Sequence, residues 1–261
     1  MHLGNARALT DGKEPCAEEG VMMRIKLIIA PSQRNAFESE PVGAAGRALL
    51  PLGAACVAAA LRKSGHTVCL EDLSIIRDKR LERFIRKMGD RAMLKKIDRY
   101  LIYDIRDRQI DLFTQALSGY LSPQPCDLIG FSILTKAGLA CSMLLAKKMK
   151  EMQATPLVLG GALVTEFFTM GLWENILNNH SYIDYLVVGE GEVPAVKLAG
   201  HLQGKLRVEE VPNLVYRRQD WVILPQRTFY DIQEAFLPEY APLNLGNYKQ
   251  KAPPGVKMLA P

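Results

Sequence analysis

The stretch Asp127-Leu128-Ile129-Gly130-Phe131-Ser132-Ile133-Leu134-Thr135, followed one helix later by Leu157-Val158-Leu159-Gly160-Gly161, decides the fold. Each is a short apolar run that stops abruptly at Ser or Gly. That is the pattern of a parallel strand buried on both faces whose carboxyl end opens onto a ligand crevice. A small polar residue on one strand and paired glycines on the next leave a slot at adjacent strand ends, suited to a flat or bulky group.

Outward from this pair the chain alternates strand with helix. Strands are expected at 25–30, 66–70, 128–132, 156–160 and 185–188. Helices are expected at 52–64, 139–152, 166–178 and 193–202, the first opened by Pro51, where a first helical turn tolerates proline, and ended by Gly65. That first helix is almost entirely small and apolar (Ala54, Ala55, Ala58, Ala59, Ala60), so a backbone or a ligand can approach it closely. Five strands alternating with helices predict an α/β fold, a five-stranded parallel sheet with helices on both faces. A C-terminal β-hairpin (strands 213–216 and 221–224) joins its edge, and an extended tail follows.

The domain reading is a disordered leader at 1–22, an α/β domain at 23–205 containing a basic helical insertion at 76–122, the hairpin at 206–228, and a linker or docking tail at 229–261. The leader carries Asp11, Glu14, Glu18 and Glu19 with no apolar segment, and no stretch approaches the roughly 18 apolar residues of a membrane span. A cytoplasmic location is expected. The five cysteines are scattered and lack metal-ligand spacing, so they read as reduced thiols. Between Arg77 and Arg108, twelve Lys or Arg face six Asp or Glu, an excess of six against a whole-chain net charge of +5. The basic character is therefore local, on amphipathic helices, which argues against a nucleic-acid protein. A solvated helix face and a docking surface for an acidic partner both remain open.

Taken in order, Pro51-Leu52-Gly53, Ser64-Gly65-His66-Thr67-Val68, Gly130 to Thr135, Leu159-Gly160-Gly161 with Val164-Thr165, Val188-Gly189-Glu190-Gly191-Glu192 and Val211 to Tyr216 carry a family likeness. The chain from about residue 25 to 248 resembles the cobalamin-binding N-terminal domain of cobalamin-dependent radical SAM enzymes. The resemblance implies a Rossmann-like or flavodoxin-like sheet with the nucleotide tail of cobalamin buried beside it. It further implies that Pro51, Leu52, Gly53, Ser132, Leu134, Thr135, Gly160, Gly161, Val164, Thr165, Gly189, Glu190 and Gly191 bind the cofactor, with no catalytic residue of the chain's own. Ser132 also reads as a strand-end hydroxyl bonded to a loop, the glycine pair as a tight turn, and Glu192 as an acid favouring the next helix N-terminus. Leucine at Gly160 or Gly161 is expected to block cobalamin while sparing the fold, with Ser132→Ala milder.

Two departures shape the expected function. The loop after the first strand, Ala30-Pro31-Ser32-Gln33-Arg34-Asn35, lacks the DxHxxG of methionine-synthase-like domains and holds no histidine before Pro51. Cobalt is then expected without a protein nitrogen ligand and with its own base displaced. His66 reads as a turn residue, and His180 and His201 as exposed caps near helix ends. The CxxxCxxC that holds a radical SAM iron–sulfur cluster is also absent, with no cysteine beyond Cys141. The resemblance thus implies a carrier of methylcobalamin for a radical SAM methyltransferase whose cluster and SAM lie on a partner chain, or one piece of a longer enzyme; the alternative is a non-catalytic cobalamin binder or sensor. A flavodoxin-like nucleotide or phosphoacceptor domain fits less well, because no acid stands at Ser132 and no GxGxxG follows the first strand. Phe236, Leu237, Tyr240, Leu243, Leu245 and Tyr248 make the tail apolar enough to dock onto such a partner.

Overall fold

The structure, a computed structural model, describes residues 22–31, 50–76, 78–88, 90–218, 221–223, 236–241 and 243. The expected leader, most of the expected tail and the loop between the first strand and Leu50 lie outside the described residues. Seven strands form one sheet: β1 (Arg24–Ile29), β2 (Thr67–Asp72), β3 (Leu128–Ser132), β4 (Leu157–Gly160), β5 (Tyr185–Val187), β6 (Leu214–Arg218) and β7 (Trp221–Ile223). Their order is β2-β1-β3-β4-β5-β6-β7, the first five parallel and the last two antiparallel. The expected parallel sheet with an appended hairpin is thus present. Strand order reverses between β1 and β3, the switch point beside whose carboxyl ends ligands bind in open α/β sheets.

Alternation along the strands sends one set of side chains to each face. Ile28, Ile129, Phe131, Leu157, Leu159 and Leu186 pack with the helices of one face. Ile25, Leu27, Leu128, Val187, Leu214 and Tyr216 pack with α1 (Leu52–Lys63) and α8 (Glu192–Leu202) on the other. The first face carries α5 (Lys136–Met152), α6 (Ala162–Thr169), α7 (Trp173–Asn179) and the insertion: α2 (Lys79–Lys87), α3 (Arg91–Tyr103) and α4 (Arg108–Ser118).

The insertion is amphipathic, as its sequence suggests. Leu81, Met93, Ile97, Leu101, Ile110, Phe113 and Leu117 are buried, and Phe84 stacks on Phe113 at 4.1 Å between centroids. Asp78 and Asp107 cap α2 and α4 by accepting from Arg80 N at 2.7 Å and Gln109 N at 2.9 Å. Arg83, Lys87, Arg91, Lys95 and Arg99 face solvent.

Three local expectations change. Helix α5 starts three residues earlier than the pattern suggested, because the Thr135 hydroxyl accepts from Gly138 N at 3.0 Å and organises a first turn around Gly138. The single helix expected over 166–178 is two, broken at Gly171, whose φ of +72° no helix accommodates. His180 is buried instead of exposed, at the C-terminal end of α7, with the Tyr182 phenol 3.1 Å from Nδ1. Among the described residues no helix is long and apolar enough to cross a membrane.

The described part of the tail turns back onto α1. Glu239 N donates to Ala55 O at 3.3 Å, its carboxylate pairs with Arg62 at 3.0 Å, Lys63 lies over the Phe236 ring, and Leu243 is buried against the α1/α8 core.

Candidate functional site

The register of β3 against β4 sets Ser132 directly beside Gly160 and Gly130 beside Val158. All of these side-chain positions fall on the α1/α8 face: a Cβ on Gly130 would meet Leu27 and Val158, and one on Gly160 would meet Val187. Gly130, Ser132 and Gly160 thus form a lane of small residues on the sheet. Above it α1 offers Ala54, Ala55 and Ala58. The sequence pattern places Ser132 and Gly160 at adjacent strand ends, and the structure makes them direct neighbours; further in, Gly130 is covered by the Leu27 side chain, whose Cδ2 lies 2.8 Å from where a Cβ would be.

The two glycines of the pair do different work. A Cβ on Gly160 would sit 3.6 Å from Val187 Cβ, an ordinary contact, so the position has room. Gly161 has φ +103°, and a Cβ there would lie 2.6 Å from Ile133 O and 2.8 Å from Ile133 N. Backbone approach between strand ends explains Gly161 without any ligand. The expectation that Gly161→Leu spares the fold is therefore corrected.

Around the carboxyl edge the remaining expected residues divide. Leu52 and Leu134 are large apolar side chains left 57% and 62% exposed, and Gly53 and Gly189 have open space where a Cβ would be. Glu190 is exposed. Gly191 faces α1, its Cβ position 3.0 Å from Val57 Cγ2. Pro51 is buried at the start of α1. Thr135 spends its hydroxyl on the α5 cap. Thr165 ties two strand ends together, donating to Gly161 O at 3.2 Å and accepting from Gly189 N at 2.8 Å. Val164 is buried in the core of the opposite face and lies away from the lane. No hydrogen bond within the described residues engages the Ser132 hydroxyl.

One residue of this region went unselected by sequence reasoning. Glu192, the first residue of α8, is buried, and its Oε2 has no hydrogen-bond partner. Burial holds its carboxyl above the usual range, and Glu190 adds to this. The Gly-Glu-Gly-Glu pattern marks the position; only the packing of α8 on α1 shows that the carboxyl is dry.

None of the described histidines reaches this edge. His66 precedes β2, and His180 and His201 end helices that run antiparallel to the strands, which puts all three at the amino edge of the sheet. His66 accepts from Met23 N at 3.4 Å, and His201 Nδ1 lies 3.1 Å from Leu206 O. Among the described residues no group of His, Cys, Asp and Glu is arranged to hold a metal ion.

The site and fold define an open, doubly wound α/β sheet with small residues at the paired carboxyl ends of β3 and β4, beside its switch point. No family model and no curated protein matches the chain. Solved structures do. The chain is similar to OxsB, a cobalamin-dependent S-adenosylmethionine radical enzyme solved with aqua-cobalamin and S-adenosylmethionine bound, at 14% identity and TM-score 0.50, over 83% of this chain and 24% of that one. It also matches TsrM from Kitasatospora setae, a radical S-adenosylmethionine methyltransferase solved with cobalamin and a [4Fe-4S] cluster, at 14% identity and TM-score 0.47, over 84% of this chain and 31% of that one. At this identity the likeness to OxsB establishes the fold. The chain spans about a quarter to a third of the length of these proteins.

Proposed function

We propose that this chain holds cobalamin for a radical SAM methyl transfer, with the iron–sulfur cluster and SAM carried by a partner. The observation that carries the reading is the pairing of Ser132 with Gly160 at the carboxyl ends of β3 and β4, next to the switch point, on the face covered by the alanine-rich helix α1. A planar heteroaromatic base needs a slot free of projecting side chains, and Ser132 and Gly160 keep this strand end small opposite the α1 alanines. The same face holds the unpartnered Glu192 oxygen, a polar atom awaiting a donor. The residues therefore fit the group.

When bound, cobalamin would supply a carrier for a transferable methyl group. The chain's own residues do the holding. Ser132 offers the tail a hydroxyl, and Gly160 leaves the base room. Leu52 and Leu134 give apolar contact at the carboxyl edge, while Gly53, Gly189 and Glu190 border the opening. Every described histidine lies at the far edge of the sheet, so none of them is placed to offer a bound cobalt an imidazole. These 261 residues contain no CxxxCxxC, so the iron–sulfur cluster is expected on residues other than these.

Titration of the purified chain with hydroxocobalamin, followed by absorbance, tests the binding. Saturable one-to-one binding lost in Gly160→Leu is the expected result, and absence of binding by the wild-type chain refutes the reading. Co-purification with a CxxxCxxC protein, with methyl transfer by the pair, tests the partner. Binding without any such partner favours the stand-alone binder.

A further inference from the structure

Glu192 is the one acid among the described residues that carries a buried oxygen with no hydrogen-bond partner. Its side chain faces the backbone N–H groups of Gly191 and Glu192 itself, so one oxygen can serve the open N-terminus of α8. That task needs a single acceptor. The second oxygen is buried without a partner, and α1 lies against this end of α8: Val57 packs on Gly191, and the half-buried Cys56 thiol is raised by burial and by the nearby acids Glu192 and Glu190. A dry, unsatisfied carboxylate oxygen is costly, and its retention asks for a donor that arrives from outside. The geometry indicates where. Helix α8 follows β5, the neighbour of β4, and with α1 covers the face on which Gly130, Ser132 and Gly160 lie. As the first residue of α8, Glu192 stands at the carboxyl end of β5, on the same side of the sheet as Ser132 and Gly160.

Resting on the cobalamin reading above, we propose that Glu192 Oε2 is a ligand-binding acceptor for a ribose hydroxyl of the cofactor's nucleotide tail. A tail inserted toward Ser132 and Gly160 passes the carboxyl end of β5 and brings its ribose O–H donors there; cobinamide, which keeps the corrin amides, separates the two kinds of donor.

The test compares wild type, Glu192→Gln and Glu192→Asp in titrations with hydroxocobalamin and with cobinamide, which lacks the nucleotide tail, alongside thermal unfolding of each ligand-free protein. In Glu192→Gln the amide carbonyl keeps the helix N–H groups and turns an amide N–H toward the incoming donor; in Glu192→Asp the shorter arm withdraws the second oxygen. Hydroxocobalamin should bind about tenfold more weakly to both variants, the effect of roughly one hydrogen bond. Cobinamide affinity should not change, and the ligand-free melting temperature of Glu192→Gln should stay level or rise. Unchanged hydroxocobalamin affinity in the variants, or a lowered melting temperature as the sole effect, overturns the proposal. Equal weakening for cobinamide overturns the assignment to the tail. Failure of the wild type to bind hydroxocobalamin refutes the cobalamin reading and this inference with it.

Discussion

The two faces of the sheet are built to different rules. On the α2–α7 face the core is large and close-packed: Ile129, Phe131, Leu144, Leu145, Leu157 and Leu159 are almost wholly buried, and Cys141 lies so deep that burial pushes its thiol far up. On the α1/α8 face Ile25, Leu27, Leu128, Val187 and Leu214 are buried too, but at the ends of β3 and β4 the sheet presents serine and glycine, the helix presents alanine, and a carboxylate oxygen is left without a partner. A face packed with interlocking aliphatics gains stability from every methyl group. A face of small residues gives up part of that gain and keeps room for something else. The contrast separates residues that hold the fold from residues available for binding, and variants can break or sharpen it.

The largest effect is expected at the glycine pair. Gly161→Leu should prevent folding or remove most of the stability, because its Cβ would overlap the Ile133 backbone at a φ that leucine avoids. Gly160→Leu should fold and fail to bind cobalamin. Circular dichroism melts of the two proteins, with hydroxocobalamin titration of whichever folds, check the asymmetry; equal melting temperatures would abolish it.

On the packed face, Leu144→Ala should cost about 2–5 kcal/mol in chemical denaturation while leaving cobalamin affinity unchanged under conditions where the variant remains folded. A loss of affinity in the folded variant would show that the two faces are not independent.

The packed face also predicts a pH dependence. Burial, with Lys147 nearby, pushes His180 down to about 4. The unfolded chain, near 6.5, then holds more protons than the native state between these values. The contribution of neutral His180 is complete above about pH 6.5 and is lost as pH falls toward 4, by up to about 3 kcal/mol. Denaturation between pH 4 and 7 should show this slope, and His180→Gln should flatten it.

The smallest expected effect is at Thr135. Thr135→Ala removes the α5 cap and should cost about 1 kcal/mol. A cobalamin affinity that falls with it would give Thr135 a binding role besides its capping one.

The sheet was legible because buried parallel strands are apolar runs with abrupt ends, and the runs at Leu128 and Leu157 sit where the structure has β3 and β4. The neighbouring placement of Ser132 and Gly160 was legible for the same reason: strand ends that stop at small residues align when the strands pair. What escaped the sequence depends on contacts far along the chain. Gly160 and Gly161 look alike as letters, and only the approach of Ile133 distinguishes them. Gly171 is a single glycine in a helical pattern until its φ is seen. The burial of His180 depends on the packing of α7, and the dry oxygen of Glu192 on that of α8 against α1. The tail read as an outward docking element, yet Phe236, Glu239 and Leu243 are engaged with α1 or its core. Deleting residues 236–261 therefore removes contacts from the proposed binding face as well as any surface for a partner.

The most direct test of the central claim is an electron paramagnetic resonance spectrum of the chain loaded with cobalamin and reduced to the cob(II)alamin state. A small-residue lane that takes the displaced base, in a chain whose described histidines all lie at the opposite edge, predicts a bound base-off signal with no nitrogen superhyperfine splitting from an axial ligand. Nitrogen splitting in the bound cofactor, from its own base or from a histidine, would contradict the account.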